Sequence, residues 1–139
     1  MNNSAAYIAS QPAERQQLLT GIARLIIEHD KTITPVVEPM MGKEMIIYKD
    51  RGMMKYALAS VTNYMSLHVL PIYGSPVLHA KYKALLPQAS FQKGCINFST
   101  AAEMPLEVIK QLITDCAKID LVKIREDQLA ERKQKAKKK

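Results

Sequence analysis

The alternation from Met53 to Leu70, interrupted at Thr62-Asn63, constrains the fold more than any other feature of the chain. Strand side chains point to opposite faces in turn, so a single choice of register sets every contact across a hairpin. With Thr62-Asn63 as a two-residue turn, Val61 faces Tyr64, Ala59 faces Ser66, Leu58 faces Leu67 and Ala57 faces His68. One face then carries Met54, Tyr56, Leu58, Met65, Leu67 and Val69, which is a core. The other carries Ala57, Ala59, Val61, Tyr64, Ser66 and His68, which is small and semi-polar. That contrast predicts an antiparallel sheet with helices over one face only.

The rest of the chain supplies the helices. Ser4 to Ala9 reads as a helical turn. Pro12 in a first turn with Glu14 just after it is a fair helix start. Leu18, Leu19, Ile22, Leu25 and Ile26 recur at spacings of three and four, which predicts a helix over Ala13–His29. Pro35 and Pro39 forbid helix and lead into an extended stretch. Met45–Tyr48 is a short strand, and Lys49-Asp50-Arg51-Gly52 a hairpin loop. Ser75 caps a helix over Pro76–Leu86, stopped by Pro87. Phe91–Phe98 contains Lys93-Gly94-Cys95-Ile96-Asn97-Phe98, which reads as a fourth strand with Gly94 near its start. Leu106, Ile109, Leu112, Ile113 and Cys116 form the stripe of a last helix, which continues in pattern through Leu121, Ile124 and Leu129.

The net charge of +7 suggests nucleic acid until it is located. Met1 to Val122 holds 12 basic and 10 acidic residues, whereas Lys123 to Lys139 holds 8 and 3. The excess is mainly a property of the tail. No apolar run approaches the roughly 18 residues a membrane span needs. Met1-Asn2-Asn3-Ser4 lacks the cationic start of a secretory signal, so the expected location is the cytoplasm. Cys95 and Cys116 are then expected as free thiols. Glycine-rich phosphate loops, paired-cysteine metal motifs and nucleophile elbows are all missing from the sequence.

Several segments in order carry a family resemblance. They are Tyr7-Ile8 with Pro12 and the Leu18–Ile26 helix, Glu38-Pro39-Met40, and the Met53–Leu70 hairpin with Met65-Ser66-Leu67. The most specific is Phe91 with Lys93-Gly94-Cys95-Ile96-Asn97-Phe98, followed by Met104-Pro105-Leu106-Glu107-Val108-Ile109. From about Tyr7 to Ile119 the chain resembles the YdhG-like domain-of-unknown-function family. The resemblance implies an α/β sandwich similar to frataxin. It also implies kinship with an intracellular iron chaperone, whose class uses an acidic surface along the first helix and edge strand. The matching stretch here sets Glu14, Glu28 and Asp30 beside Arg15, Arg24 and Lys31.

Candidate sites follow from residue chemistry. His29, His68 and His79 fall on different elements and read as separate residues rather than shared metal ligands. Met40, Met41, Met45, Met53 and Met54 would suit a soft metal, but their strand periodicity favours packing. Cys95 and Cys116 read as small buried hydrophobes, with Lys93 the one cation near Cys95. Small neighbours beside Tyr64, Ser66 and His68 leave room above the sheet for a ligand or a second subunit, readings that rank just behind an ordinary solvated face. Arg132, Lys133, Lys135 and Lys137 form a basic cluster without an aromatic residue for base stacking.

The expected architecture is an α+β, two-layer, frataxin-like sandwich over residues 1–122, its antiparallel sheet covered on one face by the N- and C-terminal helices. A basic helical or disordered tail follows over 123–139. The expected function is non-enzymatic binding of a metal such as iron, a small ligand or a protein, with no catalytic residue, cofactor or membrane. Ala57, Tyr64, Ser66 and His68 form the expected surface, which would also serve a homodimer. The alternative is a nucleic-acid-associated protein acting through Arg132, Lys133, Lys135 and Lys137, ranked lower because the body is balanced in charge. An enzyme ranks last, since no nucleophile, base and orienting partner meet at recognisable spacing.

Overall fold

A computed structural model describes residues 4–40, 42–92 and 94–137. Two helices open the chain, α1 (Ser4–Ala9) and α2 (Ala13–His29). Four strands follow, β1 (Thr34–Met40), β2 (Lys43–Asp50), β3 (Met53–Ser60) and β4 (Met65–Val69). Then come α3 (Leu70–Tyr73), α4 (Pro76–Leu85), β5 (Ser90–Gln92) and β6 (Cys95–Phe98). Helices α5 (Leu106–Ala117) and α6 (Leu121–Lys137) close it. The six strands form one antiparallel sheet in the order β1-β2-β3-β4-β6-β5. The protein is therefore α+β.

The central hairpin has the register its alternation predicts, with Ala57 opposite His68, Leu58 opposite Leu67 and Ala59 opposite Ser66. The Val61 amide donates to the Tyr64 carbonyl at 2.9 Å and closes the turn. One residue is on the other face from the one expected. Lys55 is unpaired between the Tyr48–Tyr56 and Lys49–Met54 pairs, which makes it a β-bulge. The extra residue switches the alternation, so Met54 packs with the face opposite Tyr56. It also turns Lys55 inward, fully buried, with Nζ 2.8 Å from Asp30 Oδ2. The Tyr56 hydroxyl donates to the same oxygen at 2.8 Å. Asp30 Oδ1 accepts from the amide and hydroxyl of Thr32, so the buried carboxylate is fully engaged.

Turns differ from expectation where a strand runs on or stops short, and β2 runs two residues past Tyr48. The β2–β3 loop is only Arg51-Gly52, with φ of 51° and 84°. Positive φ at both positions marks the type I′ turn whose twist suits a two-residue hairpin. Non-glycine Arg51 is held there by Asp50, to which Nε donates at 2.9 Å, and by Asp120. The Phe91–Phe98 segment holds a hairpin, β5 and β6, rather than a single strand, with Gln92 opposite Cys95. Gly94 is required by a close approach. A Cβ there would lie 3.1 Å from Tyr73 Cβ and 3.2 Å from the Val69 carbonyl, while the Val69 amide donates to Gly94 O at 2.7 Å.

The main core joins the inward strand residues Ile46, Tyr48, Tyr56, Leu58, Leu67 and Ile96 to buried residues of α1, α2, α4 and α5. From α2 come Leu18, Leu19, Ile22 and Ile26, and from α5 Ile109, Leu112, Ile113 and Cys116. Leu106 departs from its stripe and is exposed, but its Cδ1 lies 3.1 Å from where a Cβ on Gly21 would be, so the two helices meet there. The last helix does not run through. Lys118–Asp120 separates α5 from α6, and Asp120 Oδ1 accepts from the Lys123 amide to start the new helix. No helix among the described residues is long and apolar enough to cross a membrane.

Candidate functional site

The sheet face opposite the main core carries its own small cluster, Met45, Ile47, Ala57 and Ala59, with Met40 and Met54 packed on it. Register places its residues in rows across the strands. One row runs Ile47, Ala57, His68, Cys95, Gln92. The next runs Ala59, Ser66, Asn97, Ser90. Alanines on β3 leave volume beside the larger polar side chains of β4 and β6. The result is a groove of about 480 Å³ whose wall includes Tyr64, Ser66, His68, Gln92, Cys95 and Asn97. A second cavity of about 390 Å³, lined by Leu70, Tyr73 and Gly94, shares His68, Gln92 and Cys95 with the first. Those three residues therefore stand at the junction of two hollows.

Three of the four expected surface residues, Tyr64, Ser66 and His68, share this groove. Ala57 lies on the same face, but it is fully buried opposite His68 and does not line the groove, so the fourth expected surface residue is packing rather than surface. Gln92 and Asn97 also line the groove and carry no expectation from the sequence, and Cys95, expected as a small buried hydrophobe, is half-buried on the groove wall. Their signal was present in the β6 alternation, but a single strand within Phe91–Phe98 concealed the Gln92–Cys95 pairing.

The most specific contact in the groove is Cys95 Sγ to His68 Nδ1, at 2.9 Å. Burial pushes the Cys95 thiol pKa up and the His68 imidazole pKa down. Both groups therefore rest neutral near pH 7, as thiol and imidazole. Beside them, the ionisable residues on the described walls of both cavities are Lys43, Tyr64 and Tyr73, so no carboxylate faces the pair. Cys116 is different in kind, sealed in the main core with burial pushing its thiol pKa up to about 12.

The rim has an anchor on the opposite side of the fold. Arg15 of α2 donates through Nη1 to Ser60 Oγ at 2.9 Å and to the Val61 carbonyl, and through Nη2 to the Thr62 carbonyl at 3.2 Å. One guanidinium thus gathers the β3–β4 turn that carries Tyr64. The chain matches no family model, no curated protein and no solved structure.

Other candidates do not converge. His29 ends α2, and His79 on α4 stacks edge-on against Phe91 with ring centres 5.6 Å apart. Among the described residues no group of three or more His, Cys, Asp or Glu side chains is placed to hold a metal ion. Met40 and Met45 line the groove, while Met65 and Met104 fill the core. Met45 lies on β2, three strands from Cys95, or about 14 Å at the usual strand spacing, which is too far for one shared ion. Arg132 and Lys133 are exposed on α6. Met41 and Lys93, and the side chains of Lys135 and Lys137, lie outside the described residues.

Proposed function

We propose that this protein binds a small, uncharged, hydrogen-bonding ligand in the groove above β3, β4 and β6, without catalysing its conversion. The observation that carries this is the groove itself, about 480 Å³, lined by Ala59 and the polar tips of Ser66, His68, Gln92 and Asn97. A concave apolar surface with a few placed polar groups is the usual form of a small-ligand site. Around His68 and Cys95 the described wall is uncharged, with Lys43 standing on β2, three strands from β6, so an uncharged ligand is favoured there, because a charge would lose hydration without gaining a partner. The test is a screen of small amide and alcohol fragments against labelled protein by NMR. Binders should move the His68 and Asn97 signals, and Ala59→Phe should abolish the shifts while keeping the fold. Binders that map to the Glu14–Met104 cleft at the end of α2 would overturn the assignment.

The same proposal takes the fold as a two-layer, frataxin-like sandwich of the YdhG-like family, working in the cytoplasm. Support comes from the order of the quoted segments and from a main core confined to one sheet face. The iron role implied by that resemblance is a proposal with its own test, a ferrous iron titration at physiological salt, which saturable binding would support. Dimerisation through the groove face predicts that Tyr64→Arg gives a folded monomer. A nucleic-acid role through the tail is the second reading, favoured by the exposure of α6 along Lys123–Gln134. Loss of RNA or DNA retention on deleting Lys133–Lys139 would support it.

A further inference from the structure

We propose that Cys95, with His68 as its proton acceptor, is a site of reversible thiol–disulfide exchange with low-mass disulfides that enter the groove. Geometry carries the proposal. A thiol and an imidazole nitrogen lie 2.9 Å apart on adjacent strands, which is the nucleophile-and-base arrangement of covalent chemistry. The pair stands where two cavities meet, so an incoming disulfide has room on both sides of Sγ. Gln92, across the strand from Cys95, and Asn97, two residues along, add amide groups suited to a peptide-like thiol. The inference rests on the groove being a ligand site, and adds to it a covalent class of ligand.

The step balances without a further reactant. Cys95 Sγ attacks one sulfur of the disulfide as its proton passes to His68 Nδ1. A new Cys95–sulfur bond forms and the old sulfur–sulfur bond breaks. The leaving thiolate takes the proton from His68 and departs as a free thiol. Cys95 is oxidised to a mixed disulfide and half of the incoming disulfide is reduced. Cys116 cannot resolve the product, because it is packed in the main core on the other side of the sheet. The adduct therefore persists until an external thiol removes it, which makes Cys95 a reversible cap on the groove rather than part of an oxidoreductase.

The neutral resting state of the pair shapes the test. The one cation among the described groove residues, Lys43, stands on β2, three strands from Cys95, so the reactivity of Cys95 depends on the imidazole taking the proton. The full chain is incubated with 2-hydroxyethyl disulfide, an uncharged low-mass disulfide, from about pH 5 to about pH 9, and adduct formation is followed by intact mass and peptide mapping. One adduct is expected, on Cys95, reversed by a reducing thiol and absent in Cys95→Ser. His68→Gln should slow it about tenfold or more at neutral pH and remove the inflection in the imidazole range. Cys116 reports on folding, since its modification marks an opened core. If His68→Gln exposes Cys116, His68→Asn replaces it. Native Cys95 staying unmodified where a free cysteine peptide reacts would overturn the proposal. So would a folded His68 variant reacting at the native rate at every pH. Failure of the groove itself is read separately, as an absence of non-covalent binders to Cys95→Ser.

Discussion

The two faces of the sheet share strands and differ in everything else. Toward the helices, Leu58, Leu67, Ile96 and Phe98 are sealed beneath α1, α2, α4 and α5. Away from them, Ala57, Ala59 and Ser66 are buried only by their immediate neighbours, and a groove remains. Each face also holds a polar pair. Lys55–Asp30 is closed off, and its carboxylate also accepts from Tyr56 and Thr32. His68–Cys95 stands at a cavity junction with both groups neutral. Burial with full pairing gives a structural cluster, whereas partial burial beside empty volume gives one available for chemistry.

The comparison is easiest to break at its most buried point. Asp30→Ala strands the Lys55 ammonium in the core and should cost about 3–5 kcal/mol in urea unfolding. A loss below about 1 kcal/mol would show that the pair is hydrated after all. Adjacent residues of β4 sharpen the contrast further. Leu67→Ala should cost about 2–4 kcal/mol and Ser66→Ala less than about 1, because only the first removes packing from the main core. Equal losses would mean that the groove face is as tightly packed as the other.

The pH dependence is smaller. Burial lowers the folded pKa of His68, so the unfolded chain binds more protons below the ordinary imidazole range. The contribution of His68 to stability is present above about pH 6.5 and is lost as pH falls through the lowered folded value. His68→Gln should therefore flatten the fall in stability between about pH 7 and pH 5. An unchanged slope would place that titration elsewhere. The smallest effect belongs to α6, which neither face uses. Asp127→Ala, which removes the exposed 3.7 Å pair with Lys123, should change stability by less than about 0.5 kcal/mol.

Much of this fold was legible in the residues. The α2 boundaries, the Ser75 cap and the register of the central hairpin all follow from local periodicity and turn chemistry, which act over a few residues. The misassignments share a cause. The Lys55 bulge shifts Met54 to the other face, with the lysine turned inward to a buried carboxylate just past the end of α2, and that partner is distant in sequence. The β5–β6 hairpin was hidden because its turn is short and Gly94 serves a tertiary contact with Tyr73 and Val69. The break before α6 is set by Asp120, whose side chain caps the new helix and receives Arg51.

For the site the division is similar. Alternation alone put Tyr64, Ser66 and His68 on one small-residue face. Only tertiary pairing of β4 with β6 brought Cys95 within 2.9 Å of His68, and only the packing of α3 against Gly94 opened the second hollow beside them. Side-chain periodicity is a property of the strand itself, so sequence determined which faces exist. Which strands become neighbours depends on closing the chain over many residues, and that was decided by the folded structure.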